Sequence, residues 1–90
     1  MRYIEVVEET DTQIEVSSKM GSDIYGVIID VMDLVRSYKK SVKFSLNKVF
    51  AVADASDTSA TLFDKFNEAY KARALQSIQI SRNSRQAINQ

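Results

Sequence analysis

The chain has 90 residues, of which 44% are apolar and 27% charged, and its formal net charge is zero. This composition predicts one folded domain, 1–90, with a small core. Because the chain contains no cysteine and no histidine, disulfides, thiolate metal sites and thiol nucleophiles are excluded, and only two glycines are present to build a phosphate-binding loop. We therefore expect a protein that is not an enzyme and that holds no cofactor and no metal.

The zero net charge hides two regions of opposite sign. Residues 1–33 contain eight acidic and two basic residues, a net charge of −6, whereas residues 34–90 contain ten basic and four acidic residues, a net charge of +6. Three interpretations stay open. The two regions pair within one chain, they pair between copies of the chain, or the basic region binds an anionic partner.

Two further features bear on where the protein works. The N-terminal sequence "MRYIEVVEET" is acidic and alternating, which is not the pattern of a signal peptide. The longest apolar-rich run, 24–35, contains two aspartates and is too short to span a bilayer. We expect a cytoplasmic protein with no membrane partner.

The first predicted element is a β-hairpin over 2–17. In "RYIEVVEE" and "QIEVSS" apolar and polar residues alternate with the period of a strand, and the polar "ETDT" between them has the length of a hairpin turn. An isolated two-stranded hairpin is only marginally stable in water. We therefore expect the hairpin to pack on a helix, to gain another strand or to pair across a subunit boundary.

The second predicted element is a central buried helix, 22–38, which follows the break at Gly21 and has Ser22 as its predicted N-cap. Small or polar residues recur along one narrow stripe of this helix: Asp23, Gly26, Asp30, Asp33 and Ser37. The rest of its circumference is apolar. That pattern is typical of a helix covered on more than one side.

The next segment predicts a short strand followed by a short helix. "SVKFSL" alternates apolar and polar residues, and Ser45 then caps a helix over 45–54. In that helix Leu46, Val49, Phe50 and Ala53 follow the spacing i, i+3, i+4, i+7.

A long C-terminal helix, 58–80 or beyond, completes the predicted fold, with Phe63, Phe66, Tyr70 and Ala74 on one face. No glycine or proline follows Gly26 to end it. The alternative is that "SIQIS" forms a strand that joins the hairpin, and the basic tail 81–90 is either frayed or an arm that binds a partner. The fold class is thus α+β, a hairpin packed on a helical portion.

The stretch "KVFAVADASDTSATLF", 48–63, resembles in part the helix-turn-helix of bacterial repressors. It departs from that pattern at the close crossing of the helices, where Phe50 stands, and at the turn glycine, where Asp54 stands. The supposed reading helix is also poor in basic residues. We interpret the stretch as two helices that pack, with Phe50, Phe63 and Phe66 in the core.

The apolar surface exceeds what a small chain hides easily, which indicates subunit or partner contacts. We therefore predict a non-enzymatic protein–protein interaction module, a regulator or inhibitor that binds another protein and acts as a homo-oligomer, of the size of phage or mobile-element accessory proteins. The predicted contact residues are Leu62, Tyr70, Ile78, Ile80 and Ile88.

The alternative function is nucleic-acid binding through two basic segments, 36–48 and 71–85, in which no acidic residue occurs. Phosphate binding requires clustered basic side chains, and nearby aromatic residues can stack on bases. The residues predicted for this role are Lys39, Lys40, Lys43, Lys48, Lys71, Arg73, Arg82 and Arg85. A solvated basic face is the competing interpretation of the same residues.

Overall fold

The computed structural model describes the backbone of residues 2–89 and the side chains of residues 2–75. The fold is α+β, as predicted, and the N-terminal hairpin is present. The elements in chain order are β1 (Ile4–Glu9), β2 (Gln13–Ser18), α1 (Ile24–Tyr38), β3 (Ser41–Leu46), β4 (Val49–Ala53) and α2 (Ser59–Asn89).

The four strands form one sheet in the order β1-β2-β3-β4. β1 and β2 are antiparallel, as are β3 and β4, while α1 is the crossover that makes β2 and β3 parallel. Both helices pack on the face that carries Val16, Val42 and Phe44, and these side chains share one core with α1 and α2. The opposite face, which carries Glu15, Lys43 and Phe50, is covered by none of the described elements; we call it the open sheet face.

The helix predicted over 45–54 is wrong, because this segment forms the end of β3, a tight turn and β4. Asn47 (φ 53°) and Lys48 (φ 65°) both adopt the left-handed conformation that a two-residue hairpin turn requires. Val49 and Ala53 are buried while Phe50 is 56% exposed, so Phe50 is not a core residue. The interpretation of 48–63 as two packed helices is therefore wrong, because its first element is a strand, and the resemblance to a helix-turn-helix is lost for the same reason.

Helix α1 is confirmed, but its cap differs from the prediction. The Asp23 carboxylate accepts a hydrogen bond from the Gly26 N–H at 2.8 Å and is the N-cap, whereas the Ser22 hydroxyl donates to the Tyr3 carbonyl. The helix ends at Lys39, whose left-handed conformation (φ 54°) lets its N–H donate to the Val35 carbonyl.

Helix α2 is one continuous helix of 31 residues, so residues 75–81 are helical and the alternative strand at 78–80 is wrong. Among its described side chains, those of residues 59–75, Leu62 and Phe66 are buried, and Phe66 stacks on Phe44 of β3 with 6.1 Å between ring centroids. At about 1.5 Å per residue the helix is about 46 Å long, more than twice the length of any strand in the sheet.

Candidate functional site

Apolar side chains of α1 and α2 form a groove on the helical side of the molecule, with a volume of about 380 Å³. The residues that line this α1–α2 groove are Tyr25, Ile28, Ile29, Ser59, Ala60 and Phe63. Tyr25 is 65% exposed and Ile29 57% exposed, and both line this one groove, whereas singly scattered apolar side chains are ordinary on a protein surface. The ring of Tyr25 stacks on Phe63 with 5.2 Å between centroids and 11° between planes.

The groove follows from the local sequence of the two helices. Tyr25 and Ile29 are four residues apart and therefore lie on one side of α1. On α2 the small residues Ser59 and Ala60 stand one turn before Phe63, so the first turn of α2 leaves room that larger side chains would fill. The floor of the groove is the buried Ile28.

A buried carboxylate fixes the start of α2 against β4. The Asp57 side chain is 4% exposed and accepts hydrogen bonds from Lys65 Nζ at 2.6 Å, from the Thr61 hydroxyl at 2.8 Å and from the Asp54 N–H at 3.0 Å. Lys65 also donates to the Val52 carbonyl of β4 at 3.3 Å. This Asp57 network holds Phe63, two residues before Lys65, in position opposite Tyr25.

The electrostatics of the Asp57 network favour its charged form. Burial raises the pKa of the Asp57 carboxyl, but the hydrogen bonds from Lys65, Asp54 and Thr61 outweigh burial, so the pKa lies below its ordinary value. The hydrogen bond to Asp57 is the main cause that raises the pKa of Lys65. The network is therefore an ion pair with a structural role.

Charged side chains flank the groove without ion-pair partners of their own. Asp33 and Arg36 are exposed on α1, beyond Ile29, and Asp64 is exposed on α2, next to Phe63. None of the three forms an ion pair with another side chain of residues 2–75. The groove thus has an apolar lining, and exposed charged residues stand next to it along α2 and one to two turns beyond it along α1.

The predicted contact residues lie elsewhere. Leu62 is fully buried in the core, so its side chain is not accessible to a partner, and Tyr70 is half-exposed on another part of α2. The side chains of Ile78, Ile80 and Ile88 lie outside the described residues. Sequence reasoning missed Tyr25 and Ile29 as surface residues, although the apolar circumference of α1 was a signal for them, whereas Phe63 is partly buried against the core, near where it was predicted.

The predicted nucleic-acid residues are spread over several parts of the fold. Lys40 pairs with Glu9 at 2.8 Å, and Lys71 pairs with Glu68 at 3.8 Å. Lys43 lies 3.8 Å from Glu15 and 5.3 Å from the centroid of the Phe50 ring. Two of these pairs join the acidic hairpin to basic β3 or its start, so the opposite charges of the two regions meet in part within one chain.

Of the remaining predicted basic residues, Arg73 lines a small cleft. Lys39 ends α1 and Lys48 stands in the β3–β4 turn, while the side chains of Arg82 and Arg85 lie outside the described residues. Arg73 lines a cleft of about 290 Å³, the Tyr70 cleft, together with Asn47, Val49, Tyr70 and Ala74.

The described residues contain neither a metal-binding cluster nor a membrane-spanning helix. They contain no group of three or more histidine, cysteine, aspartate or glutamate side chains arranged to hold a metal ion. None of the helices in this part of the chain has the length and apolar character needed to cross a bilayer.

Comparisons of the chain with protein-family models, with curated proteins and with solved structures found no match. The functional argument therefore rests on the geometry of the α1–α2 groove.

Proposed function

We propose that this chain is a non-enzymatic protein–protein interaction module and that the α1–α2 groove is its docking surface. The observation that carries the proposal is the exposure of Tyr25 and Ile29 beside Phe63 in one apolar groove. Burying the exposed part of such side chains contributes about 1 kcal/mol each, since burying a whole one contributes about 1.5–3 kcal/mol. A partner that covers the groove gains this free energy directly.

The finer parts of the proposal concern how the module acts. With no catalytic constellation predicted from its sequence, it acts by occupying or assembling other proteins, as a regulator or inhibitor that works as a homo-oligomer. Accessory proteins of phages and mobile elements are of this size. The cytoplasmic location predicted from the sequence is part of the same proposal.

The experiment places a photo-crosslinking benzoylphenylalanine at position 25, where it replaces one aromatic residue by another, in the protein expressed in its native host cell. The matched control carries the same group at Tyr38, which is on the same helix and is 55% exposed. We expect a protein adduct from position 25 and little or none from position 38. The adduct is identified by mass spectrometry.

Two results would contradict this proposal. No adduct from position 25 at physiological expression would show that the groove meets no protein. Equal adducts from both positions would show nonspecific collision rather than docking at the groove.

The second candidate is nucleic-acid binding, which the Tyr70 cleft supports because it brings a half-exposed aromatic ring and Arg73 together next to the turn that contains Lys48. Stacking of a base on an aromatic side chain contributes about 1–3 kcal/mol. Fluorescence anisotropy with a labelled single-stranded oligonucleotide tests this candidate. It requires binding that weakens steeply between about 50 and 200 mM salt and that fails in Tyr70→Ala.

A further inference from the structure

We propose that the occupant of the α1–α2 groove is a second copy of this chain, with α1 of one copy antiparallel to α1 of the other about a two-fold axis near Ile29. This inference rests on the proposed function, because it names the partner of the same groove. It is carried by the self-complementarity of the residues around the groove.

The exposed stripe of α1 is apolar in its first half and charged in its second half. Its members are Tyr25, Ile29, Asp33 and Arg36, all exposed, and at about 100° per residue they fall within a sector of about 80°. A two-fold axis through Ile29 pairs position 25 of one copy with position 33 of the other. Each phenol hydroxyl then donates to a carboxylate, whereas a parallel pairing sets Asp33 against Asp33.

The same axis brings Arg36 of each copy to the first turn of α1 in the other copy, because position 36 pairs with position 22. Tyr25 lies there, and Phe63 stacks on it with Asp64 as the next residue along α2. The guanidinium of Arg36 thus meets the face of the Tyr25 ring and the carboxylate of Asp64. Both charges are exposed and without an ion-pair partner among the described side chains of their own chain.

Other surfaces of the described chain fit a second copy less well. On the open sheet face, the charge of Lys43 already has partners within the chain, because it lies 3.8 Å from Glu15 and 5.3 Å from the centroid of the Phe50 ring. The edge strand β1 has a bulge between Val6 and Glu8 and carries three glutamates, so two antiparallel β1 strands would bring like charges together. The α1–α2 groove is the surface on which self-association pairs opposite charges.

The test uses two single charge reversals of the full chain, Arg36→Glu and Asp64→Lys, and their mixture. Each variant alone faces like charges twice across the two-fold axis, so we expect its dimerisation to weaken about tenfold or more, measured by sedimentation velocity over a concentration series. In the mixture, the carboxylate introduced at position 36 of one chain faces the ammonium group introduced at position 64 of the other, and the native pair forms at the second contact. We expect the mixed dimer to regain an affinity within about threefold of the native dimer.

A control pair separates this local effect from overall charge. Glu5→Lys and Lys48→Glu reverse exposed charges outside the groove, so each alone and their mixture should dimerise as the native protein does. A mixture of the groove variants that associates no better than either variant alone would overturn the inference, as would a native protein that stays monomeric at millimolar concentration.

The crosslinking at position 25 distinguishes failure of this inference from failure of the proposed function. A monomeric protein whose position 25 captures a different protein leaves the docking surface intact and overturns the second copy as its occupant. A monomeric protein with no adduct overturns both.

Discussion

Helix α1 has two flanks beside its buried face, and the chain treats them differently. On one flank the Asp30 carboxylate accepts hydrogen bonds from the Tyr3 N–H at 2.8 Å and the Arg2 N–H at 3.0 Å, and the Tyr3 ring lies over Gly26. On the other flank Tyr25 and Ile29 meet only the edge of α2 and stay more than half exposed. The chain itself covers the first flank, whereas the second flank keeps apolar surface in water.

The difference is one of residue type as much as of position. The covered flank bears a glycine and an aspartate, which allow close approach of a ring and bind backbone donors. The exposed flank bears a tyrosine and an isoleucine; the Tyr25 ring stacks on Phe63, but more than half of each side chain stays in water. Specific contacts within the chain therefore stabilise the covered flank, whereas the exposed flank leaves apolar surface in water.

The largest expected effect is on the free energy of unfolding, and it is measured by truncating one side chain in the core of α2 and one on the exposed flank of α1. Leu62 is fully buried, so Leu62→Ala should lower the free energy of unfolding by about 2–5 kcal/mol through lost burial and the cavity left behind. Ile29→Ala removes a side chain of similar size from the exposed flank and should change the free energy of unfolding by less than about 0.5 kcal/mol. Urea denaturation at two protein concentrations measures both free energies of unfolding, because a contribution from self-association would depend on concentration. Equal losses would contradict the exposure of Ile29.

The next effect concerns the Asp57 network, which fixes α2 and so the far wall of the groove. Asp57→Asn replaces a carboxylate that accepts three hydrogen bonds, and should lower the free energy of unfolding at pH 7 by about 1–2 kcal/mol. Because the folded-state pKa of Asp57 lies below its unfolded value of about 3.9, its contribution is present above that pH and is lost as the pH falls through the folded-state value.

Denaturation curves at pH 7 and at about pH 2.5 measure this loss. The difference in unfolding free energy between Asp57→Asn and the native protein should shrink on acidification. Asp11→Asn is the control, because Asp11 is exposed in the β1–β2 turn and its substitution should have almost no effect at either pH. A difference that is unchanged at low pH would show that the Asp57 charge contributes nothing.

The elements with one clear period could be predicted from the sequence. Alternation predicted the β1–β2 hairpin and β3, the narrow stripe of small and polar residues predicted α1, and the absence of glycine and proline after Gly26 predicted a continuous α2. The segment 45–54 could not be assigned in this way. Val49 and Ala53 are four residues apart, which puts them on one side of a helix and also on one face of a strand. The left-handed conformations of Asn47 and Lys48 form the hairpin turn that makes 49–53 a strand. The sequence does not predict this turn, because neither position is a glycine.

The candidate site was predictable only in part. Periodicity shows which residues share a face of a helix, but it does not show which other element that face packs on. The apolar circumference of α1 indicated a contact with a partner, whereas the exposure of Tyr25 and Ile29 depends on where α2 crosses α1. On α2 the apolar face was predicted to carry Phe63, Phe66, Tyr70 and Ala74; Phe66 is buried as predicted, but Tyr70 is half-exposed and the fully buried side chain is Leu62, which was predicted as a contact residue. Which side of α2 is buried depends on how the helix packs against the sheet, and periodicity does not show this.

The smallest of the three expected effects on stability is that of Gly26→Ala, a substitution on the covered flank of α1. In most helix interiors this substitution stabilises by about 1 kcal/mol. Here an added Cβ would lie 2.7 Å from the Tyr3 ring, so the ring must shift at a cost of about 1–3 kcal/mol, and we expect a net loss of about 1 kcal/mol in thermal or urea denaturation. In a Tyr3→Ala background the ring is absent, so the same Gly26→Ala should become stabilising. If Gly26→Ala stabilises both backgrounds equally, Tyr3 does not cover this flank of α1, and the two flanks would no longer differ in the way that points to Tyr25 and Ile29 as the docking surface.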